Sequence, residues 1–459
     1  MAKAVMHDMT EGNPTKLLLK FSLPMIIGNI FQQLYNMVDS IIVGRFVGAN
    51  ALAAVGATGS ITFLFFSLAF GLSTGIGIIV SQYFGAKDNE RVQKSIATSA
   101  YVVVVSSLIM GLLMIVSARW SMEMLNTPEE IIDDAVLYMR VAGAGMLVIG
   151  IYNGISAILR ALGDSKTPLI FLIVASVINV VLDLVFVIVF KWSVFGVAFA
   201  TVIAQFVAGL GSLIYAWRKI SLFRMPLHKF VVDKMILNKC LYIGVPVALQ
   251  SALISVSCIV LQSVVNGFGA TVVAAFTVEN RFEQLVHQPF NSLGTAMGTY
   301  TGQNIGAGNM KRIKQGFWSA TKLTIIFSLI MMPIACFGGE AIMGLFTTDP
   351  QVIEQGAIGI RITCFFYIGL GMIYVTRNIL NGAGDTNFAM LSGVVEVVCR
   401  VGLARPLTLI PGVGMLSIWY TTGLTWLFTG GISVIRYARG KWKAKGIIEQ
   451  PVQGEIVIE

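Results

Sequence analysis

Charge is scarce in this chain. Of 459 residues only 12% are Asp, Glu, Lys or Arg, well under the quarter or so usual in soluble domains, while 56% are hydrophobic. That balance excludes a soluble globular fold. Histidines number three and cysteines five. The cysteines, Cys240, Cys258, Cys336, Cys364 and Cys399, stand singly in apolar runs, with no C-x-x-C and no histidine at ligand spacing. This argues for packing roles and against a redox pair or a cysteine-based metal centre. There is no P-loop, no completed G-x-G-x-x-G and no HExxH, so neither an enzyme nor a resident cofactor is expected. No small-residue cleavage site follows the first apolar run, which therefore reads as a retained helix.

What the chain has is long apolar runs. A helix needs roughly 20 residues to cross about 30 Å of hydrocarbon. Runs of that length fall at about 16–44, 52–83, 92–118, 130–160, 166–190, 195–218, 236–266, 271–302, 314–338, 351–381, 387–410 and 414–437. The expected fold is an all-α polytopic membrane protein of twelve transmembrane helices. The net charge of +9 does not point to nucleic acid, because the basic residues are confined to short segments between the runs. Lys87, Arg91 and Lys94, Arg160 and Lys166, the 218–239 stretch and the tail from Arg436 all fall on one side. The other side has little more than Arg45, Arg119 and Lys191, beside the acidic Glu129–Asp134 segment, for which Thr127 is the expected cap and Pro128 the first helical residue. The positive-inside bias then places both termini in the cytoplasm, in an inner (plasma) membrane.

The chain also repeats itself. "SQYFGAKDNERVQKS" (81–95) matches "GQNIGAGNMKRIKQG" (302–316) at a shift of 221, which pairs Gln82 with Gln303 and Gly85 with Gly306. The same shift superposes Arg140 on Arg361 and "LRALGDSKT" (159–167) on "LNGAGDTNF" (380–388). Six helices per repeat keep both halves in one orientation, so two six-helix bundles should be related by a pseudo-two-fold along the membrane normal, with a cavity between them. The expected organisation is a terminal segment 1–15, a lobe 16–218, a linker 219–239, a second lobe 240–438 and a tail 439–459. Such a repeat argues for a transporter.

Carboxylates inside a membrane are functional-site candidates. Asp39 on helix 1 and Asp183 on helix 5 both lie some seven residues, or roughly 10 Å, from the outer helix ends. Asn179 stacks one turn before Asp183. Helix 6 brings Thr201 to a similar level and Gln205 one turn deeper. Hard oxygen ligands of this kind suit Na⁺, and two carboxylates in a low-dielectric pocket equally suit a shared proton. A buried structural lock is the alternative. In the second half, Glu279, Arg281 and Glu283 on helix 8, Arg377 on helix 10, and Glu396 and Arg400 on helix 11 could neutralise one another as buried ion pairs or serve substrate and gating. His287 could relay protons, though a satisfied buried histidine is the simpler reading. Some of the 21 methionines could line an adaptable cavity. Pro24 removes a backbone hydrogen bond from helix 1 and is a candidate hinge.

The six-plus-six repeat, the opening "LPMIIGNIFQQLYNMVDSIIVGR", the "LRALGD" and "LNGAGDT" motifs and the N-x-x-x-D of helix 5 resemble the multidrug and toxic compound extrusion (MATE) family, in particular its bacterial DinF-like branch. The resemblance covers essentially residues 14–440. It implies lobes that rock between outward- and inward-facing states and export amphipathic, mainly cationic drugs in exchange for H⁺ or Na⁺, with the helix 1 bend near Pro24. It implies a coupling pocket at Asp39, Asn179, Asp183 and Thr201. Helix 7 carries Gln250, Gln262 and Asn266 but no carboxylate, unlike the other main branch. Gln32, Tyr35, Gln205, Gln250, Glu279, Arg281, Arg377, Glu396 and Arg400 are further candidates for the substrate cavity or its gate. The expected partners are the lipid bilayer and small amphipathic substrates, with no nucleic acid, and the monomer as the functional unit. A lipid-linked oligosaccharide or lipid flippase of the same superfamily is the alternative, and it would need a strongly basic cavity for pyrophosphate.

Overall fold

Residues 7–447 are described by the computed structural model. All twelve expected segments are helical. They are α1 (Pro14–Val47), α2 (Ala49–Gly85), α3 (Asn89–Met124), α4 (Glu129–Ala161), α5 (Lys166–Val189), α6 (Ser193–Lys219), α7 (Lys234–Asn266), α8 (Ala270–Gly306), α9 (Met310–Gly344), α10 (Pro350–Ala383), α11 (Thr386–Thr408) and α12 (Ser417–Ala438). Ten are by themselves long and apolar enough to cross a membrane. The exceptions, α8 and α12, carry polar residues that face protein. In α12, Ser417, Thr421, Thr425, Thr429 and Ser433 recur every fourth residue and all are fully buried. That spacing puts them on one helix face, where small side chains let backbones approach closely.

Several boundaries move outward from those expected, because polar residues continue a helix beyond the apolar run. The helix expected at 92–118 extends to Asn89–Met124: the Asp88 side chain caps it by accepting from the Arg91 N–H, and Arg119 pairs with Glu123 at 3.0 Å in its last turns. In the acidic segment the cap is Pro128 itself, not Thr127, whose hydroxyl turns to the Met122 sulfur at 3.8 Å. The second lobe begins earlier than residue 240. The α7 helix starts at Lys234, with the Asp233 carboxylate accepting from the N–H groups of Met235 and Ile236. The shortened linker is fastened to α3, where the Asp233 N–H donates to Thr98 at 3.0 Å and the Tyr101 hydroxyl to the Phe230 carbonyl at 2.9 Å.

The lobes α1–α6 and α7–α12 meet at the face that carries both termini. There the sequence repeat becomes a contact. Gln82 on α2 donates to the Gly382 carbonyl at the end of α10 at 2.8 Å, and its repeat partner Gln303 on α8 donates to the Ala161 carbonyl at the end of α4 at 2.9 Å. Each glutamine oxygen is used as well. Gln303 accepts the Met9 N–H from the N-terminal segment at 2.8 Å, and Gln82 accepts the Ile447 N–H from the C-terminal segment at 2.9 Å. Pairing of this kind requires backbones to touch. A Cβ on Gly85 would lie 1.9 Å from the Gln303 carbonyl oxygen, and one on Gly306 would lie 1.8 Å from that of Gln82. Met9 is buried in the α1–α8–α9 core together with Trp442 of the C-terminal segment.

Gly306→Ala should therefore force the lobes apart at this face, since the obstructing atom is backbone and cannot rotate away. In a background freed of native thiols, a Thr299→Cys reporter in the cavity above should label several-fold faster with a maleimide applied to the terminal face. Unchanged labelling would show that the helices accommodate the methyl group without opening.

Candidate functional site: a carboxylate pocket and a cavity between the lobes

Helices α1, α4, α5 and α6 converge on the first group of expected residues. Asp183 is fully buried and Asn179 almost so, while Asp39 and Thr201 are half-buried. The carboxyl groups of Asp39 and Asp183 are close neighbours, near enough for each to bear on the other's charge. Asn179 donates its amide N–H to Thr201 Oγ1 at 3.3 Å, and Thr201 donates to the Val197 carbonyl at 3.2 Å. The remaining oxygens face inward without protein donors: both of Asp183, Oδ1 of Asp39, Oδ1 of Asn179 and Oε1 of Gln205. A void of about 10 Å³ is lined by Tyr35, Ser176, Asn179, Thr201 and Gln205, with neither carboxylate in its wall. That is room for about one water-sized species. The pocket thus offers hard oxygen ligands at short range, a donor set that fits a bare cation or a shared proton.

Two features of this pocket were not found in the sequence. Tyr138 on α4 is a neighbour of both Asp39 and Asp183. A depth estimate could have found it, because it lies nine residues, or roughly 13 Å, inside the start of α4. The second is backbone. Both carboxylate-bearing helices end in π-helical turns, Val43–Val47 on α1 and Val185–Val189 on α5, marked by hydrogen bonds from Gly48 N to Val43 O and from Phe190 N to Val185 O. Among the described residues no other helix has one. Wide turns of this kind recur at functional sites.

The second site is a cavity of about 530 Å³ between the lobes, just inside the paired glutamines. Of the expected cavity residues, Gln32, Gln250 and Arg377 line it. Tyr35 and Gln205 belong to the carboxylate pocket instead. Glu279, Arg281, Glu396 and Arg400 do not line it, and each has a reason. Glu396 sits behind Arg377 and forms a buried ion pair with it, braced by Arg377 Nε donating to Ser392 at 3.0 Å. Arg400 turns to the Cys258 sulfur at 2.9 Å. Glu279 is buried beside Glu283 and Trp419. Arg281 is exposed. The mutual neutralisation expected in this lobe is therefore limited to Arg377–Glu396. Glu283 is instead held by hydroxyls, accepting from Thr363 at 2.7 Å and Tyr367 at 3.0 Å, with His287 3.8 Å away. Sequence reasoning passed over Arg160, which stands in the last turn of α4 and projects into the cavity.

The matching family model, MatE, covers residues 24–185 and again 246–404, once in each lobe. The chain belongs to the MatE family. The "Probable multidrug resistance protein YpnP" of Bacillus subtilis is 32% identical to this MatE protein over 95% of this chain and 98% of its own. The "FAD transporter" of Shewanella oneidensis is 25% identical over 86% and 88%. In structure, the MatE fold seen here matches the "outward-facing conformation of a multidrug resistance MATE family transporter of the MOP superfamily" with a TM-score of 0.89 over 97% of this chain and 99% of that one, at 24% identity.

A buried ion pair costs most when one partner is removed. Glu396→Gln should destabilise the protein by about 3 kcal/mol, whereas the double variant Arg377→Met/Glu396→Leu should recover most of that loss. Unfolding of the purified variants in detergent, followed by heat or SDS titration, reads both effects; equal losses in the two variants would show that packing, not the uncompensated charge, dominates.

Proposed function

We propose that this multi-pass MatE transporter exports small amphipathic organic molecules in exchange for H⁺ or Na⁺, with the coupling ion held at Asp39, Asn179, Asp183 and Thr201 and both termini in the cytoplasm. The observation that carries it is the meeting of the Asp39 and Asp183 carboxyls in a pocket whose other oxygens have no protein donors. Two carboxylates brought together away from water require a compensating cation or proton. The printed names of relatives such as the multidrug resistance protein support an export role, and the concentration of Lys and Arg on the terminal face supports the orientation. The proposal assigns the chain no catalytic step and takes the monomer as the working unit.

In this reading the ion arrives from the face opposite the termini, where α1 and α5 end. Its binding neutralises the Asp39–Asp183 pair and so favours the arrangement in which the two carboxyls lie closest. Pro24 leaves the Lys20 carbonyl without its helical partner, which makes the terminal-face half of α1 the place where a bend costs least. For exchange to occur the ion must bind one state of the lobes more tightly than the other, since only differential affinity shifts such an equilibrium. A flippase would need a strongly basic cavity, whereas a single uncompensated guanidinium, that of Arg160, lines this one.

Asp39→Asn and Asp183→Asn, each inserted at wild-type abundance, should abolish fluoroquinolone transport into proteoliposomes driven by a pH gradient or a Na⁺ gradient imposed separately. The gradient that drives the wild-type protein identifies the ion. Wild-type rates in either variant would remove the pocket from the coupling mechanism.

A further inference from the structure

We propose that the cavity between the lobes binds organic anions, with the Arg160 guanidinium as their counter-charge; this deepens the exporter reading by naming the class of cargo. The cavity is lined by two cations and no carboxylate. Arg377 is neutralised from behind by Glu396 and fixed by Ser392. Arg160 is different. Among the described residues no carboxylate and no carbonyl pairs with it, and the ionisable group that bears on it is the phenol of Tyr152. The lining therefore holds about one uncompensated positive charge, at the terminal-face end of α4.

A structural role accounts for little of this. As the penultimate residue of α4, Arg160 complements the negative end of the helix dipole, a contribution of typically under 1 kcal/mol. Yet the carbonyl next to it, that of Ala161, is already taken by Gln303 across the lobe boundary. The guanidinium lines the cavity and makes no hydrogen bond or ion pair to the described residues, and its planar fork of N–H donors matches a carboxylate or phosphate. The charge is also one-sided. In the repeat the position of Arg160 is occupied by Asn381, which lines the opposite wall as a neutral amide.

The rest of the lining fits the body of such a ligand. Asn153, Asn378 and Asn381 add amide groups to the lining; Asn153 and Asn378 each spend an N–H on a carbonyl of their own helix, Ile149 at 2.8 Å and Tyr374 at 2.9 Å, while Oδ1 of Asn381 has no protein donor. Met25 and Phe70 supply apolar surface, and the volume of about 530 Å³ falls in the range of sites for drug-sized molecules. A cation placed here meets Arg160 and finds no carboxylate. For the cavity itself, the proposal departs from the cation preference that family resemblance implies. The acidic pair at Asp39 and Asp183 is left to the coupling ion.

The test uses the fluorescent pair riboflavin 5′-phosphate and riboflavin, which differ only in the anionic group, with ethidium as the cation, binding to the full-length protein in nanodiscs without any gradient. The wild type should bind the phosphate at least about tenfold more tightly than riboflavin, equivalent to one charge-assisted contact of about 1.4 kcal/mol, and ethidium more weakly than the phosphate. Displacement of the bound phosphate by phenyl phosphate or by benzoate tells which headgroup the site prefers. Arg160→Gln should collapse the preference, and Arg160→Lys should retain part of it. Asn153→Asp, two turns away on the same face of α4, should reduce it without removing the arginine. Equal affinity for the two flavins, absence of binding included, or a preference that persists in both Arg160→Gln and Asn153→Asp, overturns the proposal. Because no gradient is imposed, failure here leaves ion-coupled export to be judged by flux alone.

Discussion

The architecture turns on a side-chain amide that crosses from one lobe to a helix-end carbonyl of the other, made twice. Gln82 and Gln303 each donate to the sister lobe and accept from a chain terminus. A buried carbonyl at a helix end must find a donor. By meeting that need across the lobe boundary, the protein makes the closed terminal face conditional on both lobes at once. The glycines at 85 and 306 permit the approach, and the two terminal segments fill the glutamines' remaining capacity. The cavity adjoins this closure, since Ala161 and Gly382, whose carbonyls accept the two bonds, line it.

Away from that closure the two-fold resemblance fades. In the first lobe, polar groups on α1, α5 and α6 are gathered into one pocket with free oxygens. In the second, comparable charges are dispersed. Glu396 is committed to Arg377, Glu283 to two hydroxyls, and Arg400 to a sulfur. Burial in hydrocarbon forces each intramembrane charge to find a partner, and the lobes meet that demand in opposite ways. One leaves room for a small ion, whereas the other closes its charges within the protein. A shared backbone is thus compatible with a division of labour.

The sequence made the helices, the repeat and the carboxylate pocket legible because each follows from a fixed rise per residue. Counting residues from a helix end was enough to bring Asp39, Asp183 and Thr201 to one depth. Counting cannot tell which way a helix is rotated. The i, i+4 spacing put Glu396 and Arg400 on one face of α11, yet Glu396 is claimed by Arg377 of another helix. Arg281 shares α8 with two buried glutamates and is itself exposed. The glutamines were visible as a repeated motif, but their meaning lies in contacts between residues 142 and 300 positions apart, and no local pattern encodes such a contact. Arg160 was read as a topology marker because it sits at a helix end. Only the cavity distinguishes it from the other basic residues on that side.

The π-helical turns that follow Asp39 and Asp183 each hold one more residue than a regular turn would. An α-helix advances about 100° per residue, so absorbing that extra residue into regular geometry turns everything beyond it by roughly that angle. The ends of α1 and α5 away from the chain termini each carry such a turn shortly after a carboxylate. They touch one another where they emerge. The two carboxylates and the two wide turns therefore lie on the same pair of helices, within a few residues of a shared contact.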